Sequence, residues 1–317
     1  MSAVEKADEV CASCGIAAVD NIKLKDCDDG CDLVKYCSDG CQDNHREQHE
    51  EACKKRVEEL RDVDLFTQPD EIYPGECPLC CLPMSIDLQK SMLMHCCTQR
   101  ICLGCYWANK KREMGANMVQ RCAFCREPEP KSKKETEEML MVRANKNDPV
   151  AMCQMGKKYR DKGNYRKALK YFTRAAELGD VDSHYELAAM YKKGQGVNTD
   201  EIKEVYHLEQ AAIGGEPWAR YQLGMVEWNK GRYDRAKKHL IIAANIGYHD
   251  SLRRLLELHV GGHATKEDCN GALRAYQAAV EETKSREREV GEANHEQQMK
   301  MLQQLGESGI DWRGIEF

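Results

Sequence analysis

The C-terminal half of the chain repeats a pattern of apolar residues at three- and four-residue steps. In 219–228 and 234–244 the apolar positions fall on one face of a helix, and Gly231 separates the two stretches. The blocks AAELG, AAIGG and AANIG each end in glycine, and a leucine follows eleven residues after the second alanine of each block: Leu187, Leu223 and Leu255. This fixed register predicts a mostly α protein with an α-solenoid of stacked helix pairs.

The segment 187–215, LAAMYKKGQGVNTDEIKEVYHLEQAAIGG, resembles a Sel1-like repeat, a relative of the tetratricopeptide repeat. The resemblance implies about four units over 147–280, the last of which is degenerate and suits a capping role. Stacked helix pairs usually bind other proteins, so the repeats are expected to hold a protein partner or substrate.

The N-terminal half has a different composition, because sixteen of the eighteen cysteines lie between Cys11 and Cys125. The N-terminus has no apolar signal core, and no apolar run is long enough to cross a bilayer. We therefore expect a cytoplasmic or nuclear protein that is not associated with a membrane. Thiols stay reduced in those compartments, so clustered pairs favour metal binding over disulfides. Cys153 and Cys269 stand alone in helical patterns and are expected to be small core residues.

The net charge of −6 and the pI near 6.0 give no basic field that would attract phosphates. The acidic stretches CDDGCD and HREQHEE surround the first cysteines and would repel a nucleic acid backbone. Nucleic acid is therefore an unlikely partner.

The first cysteine-rich segment, 11–53, offers eight thiolate or imidazole ligands in pairs, enough for two four-ligand zinc sites. Its order and spacing resemble a MYND-type zinc finger. If the family's interleaved arrangement applies, one ion has the ligands Cys11, Cys14, Cys37 and Cys41, and the other has Cys27, Cys31, His49 and Cys53. A short helix through NHREQHEEAC would place the last two of these ligands on one face.

Two positions in this segment depart from the family. CDDGC is one residue longer than the usual spacing, and Arg46 stands where these fingers often have tryptophan. The resemblance implies that this finger binds a peptide. Arg46 replaces the tryptophan often found there, so the peptide binding of the family does not carry over directly to this finger. His45 is an alternative metal ligand, but His49 has the better spacing to Cys53.

The second cysteine-rich segment, 77–126, contains CPLCC, HCC, CLGC and CAFC. These intervals resemble an all-cysteine RING-type finger with two cross-braced zinc ions. The resemblance implies two ligand sets: Cys77, Cys80, Cys102 and Cys105; and Cys96, Cys97, Cys122 and Cys125. His95 with Cys97 is the alternative to Cys96 with Cys97, and Cys81 is most simply a spare thiol. The two segments together predict four Zn²⁺ ions.

RING fingers commonly act as ubiquitin ligases by positioning a charged ubiquitin-conjugating enzyme beside a substrate, without a catalytic residue of their own. The resemblance marks Leu79, Trp107 and Arg126 for contact with the conjugating enzyme. Ala123 replaces a proline that many ligases have, which favours the alternative, a non-enzymatic adaptor that joins proteins.

The predicted organisation follows from these segments. It comprises a MYND-like finger at 11–53, a linker at 54–76, a RING-like finger at 77–126, a charged linker at 127–146, the solenoid at 147–280 and a charged helical tail at 281–317.

Overall fold

The computed structural model of the protein describes residues 10–14, 23–69 and 73–307, with side chains described to residue 301. Two compact units, 1–67 and 68–317, divide the chain. In the part that the structure describes, no helix is long and apolar enough to span a membrane.

The first unit contains a small antiparallel sheet and one long helix. Its elements are β1 (Lys25–Asp26), β2 (Lys35–Tyr36) and α1 (Asp39–Phe66). The Ser38 hydroxyl caps α1 by accepting a hydrogen bond from the Cys41 amide.

Helix α1 is much longer than the short helix predicted around His49, and it extends through most of the predicted linker 54–76. Leu65 near its end is buried, and no glycine or proline interrupts it after Gly40. The helix ends at Phe66, three residues before Pro69, and the proline disfavours the α conformation at Gln68, so the helix could not continue past this point.

The second unit begins with the RING-like segment, which we call finger 2 (77–126). A turn of 3-10 helix (Leu88–Lys90) leads into the antiparallel pair β3 (Ser91–Met94) and β4 (Gln99–Cys102), followed directly by α2 (Leu103–Gly115). Its core consists largely of cysteines, with Met84, Met94 and Ile101 as the buried apolar side chains.

Four helix pairs follow, and they form the predicted α-solenoid. Their bounds are α4 (Pro149–Asp161), α5 (Tyr165–Glu177), α6 (Val181–Lys193), α7 (Glu201–Ile213), α8 (Pro217–Asn229), α9 (Tyr233–Asn245), α10 (His249–Val260) and α11 (Lys266–Glu282). Leu187, Leu223 and Leu255, which define the sequence register, are all buried. We call this segment the repeat array.

An additional helix precedes the array, within the segment predicted as a charged linker (127–146). This is α3 (Lys133–Ala144), capped by Ser132. Leu140 and Ala144, four residues apart, are buried against α4 and α5, whereas the charged residues at its start face solvent. One apolar edge is sufficient here because the neighbouring helices supply the rest of the core.

The predicted charged tail also packs against the rest of its unit. Helix α12 (Arg286–Glu307) lies against α2 of finger 2, with Arg288 and Gly291 buried along its inner face. The irregular end predicted after this helix, 308–317, lies outside the described residues.

Candidate metal centres

Four groups of cysteine and histidine side chains bring their ligand atoms within 4.8 Å of one another in the described residues. Two lie in the first unit: cluster A (Cys11, Cys14, Cys37 and Cys41) and cluster B (Cys27, Cys31, His49 and Cys53). Two lie in finger 2: cluster C (Cys77, Cys80, Cys102 and Cys105) and cluster D (Cys96, Cys97, Cys122 and Cys125).

Cluster B is fully buried and is built from a loop and a helix. His49 and Cys53 lie one turn apart on α1, whereas Cys27 and Cys31 come from the loop between β1 and β2. The Cys31 Sγ lies 3.1 Å from the His49 Nε2, and the Cys27 and Cys53 sulfurs are 3.8 Å apart. The helical spacing thus presents two ligands toward the loop pair.

His45, the alternative ligand, has a different environment. Its Nδ1 lies 3.0 Å from the Tyr36 hydroxyl, and its ring stacks on that of His49 at 5.8 Å. Tyr36 itself is almost fully buried. His45 therefore lies beside cluster B, and His49 is the histidine whose nitrogen joins the sulfur atoms.

Finger 2 contains two loops with the same hydrogen-bond pattern, one at its first cysteine pair and one at its last. The Cys77 amide donates to the Leu82 carbonyl at 3.0 Å, and the Cys122 amide donates to the Glu127 carbonyl at 2.7 Å. In the second loop the amides of Phe124 and Cys125 donate to the Cys122 Sγ, each at 3.4 Å. N–H donors directed at a sulfur stabilise its thiolate form.

The residue after the second cysteine of such a pair has a positive φ angle. This holds for Cys81 at 55°, Arg126 at 65°, Thr98 at 57° and, in the first unit, Asp32 at 54°. Non-glycine residues rarely adopt this conformation. Its recurrence shows that each of these loops turns sharply just behind its ligand pair, and it gives Cys81 a backbone role outside the clusters.

Clusters C and D interleave along the chain. The first and third cysteine pairs form cluster C, and the second and fourth pairs form cluster D. Because β3 and β4 pair in a tight hairpin, the loop between them carries Cys96 and Cys97 while Cys102 lies at the far end of β4. This is the cross-braced order that the RING resemblance implies.

The structure places both Cys96 and Cys97 in cluster D. The Cys96 Sγ lies 3.3 Å from the Cys125 Sγ, and the Cys97 Sγ lies 3.8 Å from the Cys122 Sγ. Burial, together with the positive charge of Lys158, lowers the pKa of His95. A neutral, part-buried imidazole beside the cluster agrees with the interpretation that uses both cysteines.

Hydrogen bonds between neighbouring thiols lower the pKa of one cysteine in a cluster and raise the pKa of another. A hydrogen bond from Cys102 lowers the pKa of Cys77 to about 4, and the same bond raises the pKa of Cys102. In the first unit the backbone N–H of Cys14 lowers the pKa of Cys11 to about 6. Clusters A and C therefore each offer a thiolate at neutral pH, and the thiolate is the form that binds metal.

These donor sets fit zinc. Three clusters have four thiols and one has three thiols and an imidazole, which are the ligands of closed tetrahedral zinc sites. Cys102 is also the N-cap of α2, where the helix dipole favours a negative ligand. The four clusters are compatible with several Zn²⁺ ions, which would supply folding energy and would leave no open position for a substrate.

The residues predicted to contact a conjugating enzyme have different environments. Leu79 is 41% exposed between two ligands of cluster C. Trp107 is part-buried with its Nε1 enclosed, and the Lys110 Nζ lies 5.2 Å from its ring centre. Arg126 donates to the Glu113 carboxylate at 2.6 Å and to the Asn109 side chain at 3.0 Å.

Glu113 is a residue of this site that no sequence pattern predicted. Its side chain is fully buried and also accepts hydrogen bonds from the Arg121 amide at 2.9 Å and from the Asn109 side chain at 3.2 Å. Hydrogen bonds and the charge of Arg126 lower its pKa despite burial. Nothing in its spacing distinguishes Glu113 from the other charged residues of α2.

Family models match the N-terminal cysteine-rich segment and most of the repeat array. The MYND finger matches residues 11–53, the Sel1 repeat matches 149–180 and 181–216, and the tetratricopeptide repeat matches 219–241. No curated protein matches the chain.

Two solved structures are similar to part of the chain. One is c5321, a protective antigen present in uropathogenic Escherichia coli strains displaying an SLR fold, at 19% identity and a TM-score of 0.42; the match covers 55% of this chain and 37% of that one. The other is a Sel1 repeat protein from Oxalobacter formigenes, at 22% identity and a TM-score of 0.41, covering 52% of this chain and 70% of that one. The family matches show that the chain contains a MYND finger and, in its C-terminal half, Sel1 and tetratricopeptide repeats.

Proposed function

We propose that this protein is a zinc-stabilised adaptor that joins proteins through the MYND finger and the repeat array, with finger 2 as a brace on the array. The observation that carries this proposal is that finger 2 has side-chain contacts with the start of the array and with α12, the helix that follows the last repeat. A finger held in this way is an integral part of a binding scaffold.

The contact at the start of the array involves Asp148, the N-cap of α4. The Thr98 hydroxyl, next to cluster D, donates to its carboxylate at 2.8 Å. Arg143 of α3 donates to the same carboxylate at 2.7 Å and to the Cys96 carbonyl at 3.3 Å. One part-buried carboxylate thus connects a loop of finger 2 to two helices.

A second contact lies just before finger 2. The Tyr73 hydroxyl donates to the Asp182 carboxylate at the start of α6, and Lys157 of α4 lies 3.0 Å from the same carboxylate. Burial is the main cause that raises the pKa of Tyr73. A part-buried tyrosine with a charged acceptor holds this stretch of chain on the array.

The contact beyond the last repeat is made by α12. Its Arg288 donates to the Leu82 carbonyl at 2.9 Å, and its Glu292 accepts from Lys90 at 2.9 Å. The chain therefore returns to finger 2 after the last repeat. Holding both ends limits the bending of a solenoid, whose repeats otherwise contact only their neighbours.

The MYND finger has a groove suited to a short peptide. A cavity of about 580 Å³ opens onto cluster B, whose Cys27, His49 and Cys53 are part of its lining. Tyr36 and Val57 are among its apolar lining residues, and Arg46 and Lys54 are among its charged ones. This volume lies in the range of small-ligand sites. This cavity is the site at which we propose that the finger binds a peptide. Arg46 adds a positive charge to its lining.

The adaptor proposal is tested by comparing bound proteins. The chain is cross-linked to its partners in cells, and the partners are identified by mass spectrometry for wild type and two charge reversals on α1. Arg46→Glu changes the groove and should remove a subset of the partners. Lys55→Glu, an exposed control outside the groove lining, should remove none.

Partners that remain with Arg46→Glu should bind the repeat array and should be found together with the lost subset on the wild-type chain. If no two partners occupy one chain, or if both variants behave as wild type, the adaptor proposal is wrong.

A second candidate function is the RING-type ubiquitin ligase. The cross-braced order of the cysteines favours it, as do two exposed apolar residues at equivalent positions of the two loops, Leu79 and Phe124, which are 41% and 46% exposed. Two contacts weigh against it, because Arg126 is paired with Glu113 and α12 lies on the start of α2.

The ligase is tested by lysine-dependent discharge of ubiquitin from preloaded conjugating enzymes. Leu79→Asp should abolish acceleration by placing a charge in an apolar contact. Leu256→Asp, at a 54% exposed leucine of the array, is the matched control and should discharge as wild type does. Absence of acceleration by wild type with a broad panel of enzymes would leave the adaptor as the function.

A further inference from the structure

Arg288 of α12 lies in the loop of cluster C, although 208 residues separate it from Cys80. Its side chain is 4% exposed. The guanidinium donates to the carbonyls of Leu82, Pro83 and Thr283 at 2.9, 2.5 and 2.7 Å, and to the Cys80 Sγ at 3.4 Å. Most of its donors therefore serve the turn that follows the first two ligands of cluster C.

A buried guanidinium needs a compensating negative charge. Among the described residues, no carboxylate lies within ion-pair distance of Arg288. The groups that offset its burial are the Cys80 and Cys102 sulfurs of cluster C, and Arg288 contacts the first of them directly. Four thiolates around Zn²⁺ retain a net negative charge, so the two groups are electrostatically complementary.

We propose that Arg288 is an outer-sphere residue of the metal centre that cluster C would form, and that docking of α12 slows the release of metal from this centre. When zinc is bound, the hydrogen bond from Arg288 to the Cys80 sulfur would draw charge from that ligand and shield it from alkylation. Partners of this kind tune metal affinity by about 10- to 100-fold.

Two glycines determine whether α12 can dock. A Cβ atom at Gly291 would lie 2.6 Å from the Gly104 nitrogen and the Leu103 oxygen, and a Cβ atom at Gly104 would lie 2.8 Å from the Glu287 oxygen. The two backbones meet with no space for a side chain. Gly104 lies between Cys102 and Cys105 in the first turn of α2. Docking therefore acts on the start of α2, where the N-cap Cys102 and the first-turn Cys105 are ligands of cluster C.

This inference rests on metal binding by cluster C, and it holds whether finger 2 acts as a brace or recruits an enzyme. Failure of the adaptor and ligase experiments would leave it intact, because its test measures metal and thiol chemistry in the full-length chain.

The test compares zinc-loaded full-length variants by two measurements: release of zinc to a colorimetric chelator, and the rate at which each cysteine is alkylated, resolved by mass spectrometry. Arg288→Ala removes the donor, and Arg288→Lys retains the charge. Gly291→Ala keeps Arg288 but separates the helices, even though alanine favours a helix over glycine.

The matched controls are Gly271→Ala and Arg286→Ala. Gly271 lies inside α11 with nothing near its Cβ position, and Arg286 is an exposed arginine of the same helix as Arg288. Both controls should release zinc at the wild-type rate.

Arg288→Ala and Gly291→Ala should speed zinc release and alkylation of cluster C by about 10- to 100-fold, while cluster D of the same finger changes by less than about threefold. In Arg288→Ala, Cys80 should react first because it loses its hydrogen bond. Arg288→Lys should restore part of the protection.

The proposal is overturned if Arg288→Ala matches the controls, or if clusters C and D become reactive together, since Arg288 would then stabilise only the fold. Should Arg288→Ala fail to fold, Gly291→Ala and Arg288→Lys decide the question. A Gly291→Ala chain with wild-type zinc release contradicts the dependence on docking.

Discussion

Finger 2 and the repeat array belong to one compact unit, yet their cores have different compositions. Four cysteines of clusters C and D are buried in finger 2, and its buried apolar side chains are few: Met84, Met94, Ile101 and Leu103. The array buries alanine, leucine, methionine and Phe172 along its whole length. Finger 2 therefore depends on metal ligation for stability, whereas the array depends on apolar burial.

Removal of zinc by a chelator should give the largest difference in stability between finger 2 and the repeat array. Each structural zinc can contribute on the order of 10 kcal/mol of folding free energy. A strong chelator should therefore increase hydrogen exchange throughout the MYND finger, finger 2 and α12, while α4 to α9 stay protected. Mass spectrometry of exchanged amides measures this. Equal loss of protection in α4 to α9 would show that the array cannot fold without finger 2.

The reverse experiment weakens the array and leaves the metal centres in place. Leu223 is 2% exposed, so Leu223→Ala should lower the free energy of unfolding by about 2 to 5 kcal/mol through the cavity it creates. Chemical denaturation measures the loss, and metal analysis should find unchanged zinc.

Lys170→Ala is the control for this experiment. Lys170 is exposed on α5, so its loss should change the free energy of unfolding by less than about 0.5 kcal/mol. Equal effects from the two substitutions would contradict the assigned register.

The two regions should also respond to pH in opposite directions. Acid releases zinc from the fingers because protons compete for the thiolates. In the array, burial raises the pKa of Glu216 to about 8. A carboxyl whose folded pKa is raised contributes stability that is fully present below its unfolded pKa, near 4.3, and is lost as the pH rises through about 8.

Glu216→Gln should therefore make the array more stable than wild type at pH 9, by about 1 to 3 kcal/mol. The gain is reduced because the Glu216 carboxylate accepts a hydrogen bond from the Ala219 amide as the N-cap of α8. Thermal unfolding between pH 5 and 9 measures the difference. A constant difference across this range would show that Glu216 does not titrate in it.

The smallest effect is expected at the rim of the contact between finger 2 and α12. Lys90 and Glu292 form an ion pair at 2.9 Å, with side chains 45% and 34% exposed. Exposed pairs contribute about 0 to 1 kcal/mol, so Lys90→Ala should barely change stability or zinc release. A large loss of zinc from this variant would mean that surface charge, rather than the buried Arg288, holds α12.

The sequence determined the local features of this protein. The spacing of the cysteines is sufficient to identify the ligand pairs, because two ligands separated by two or three residues, or by one helical turn, can point at one ion. Which pairs share a site was implied by the resemblance to MYND and RING fingers, and the structure brings those four groups together. The leucine and alanine register likewise determines the helix pairs, since each buries its apolar face against its nearest neighbours.

Only the tertiary structure decided the contacts between distant segments. The sequence of α12 is largely charged, and the residues on its inner face, Arg288 and Gly291, carry no apolar periodicity. They are buried because Gly104 and the carbonyls after Cys80 match their shape and charge. The pairing of Arg126 with Glu113 has the same origin. Such complementarity depends on surfaces that exist only after each segment has folded, so no local pattern in the sequence encodes it.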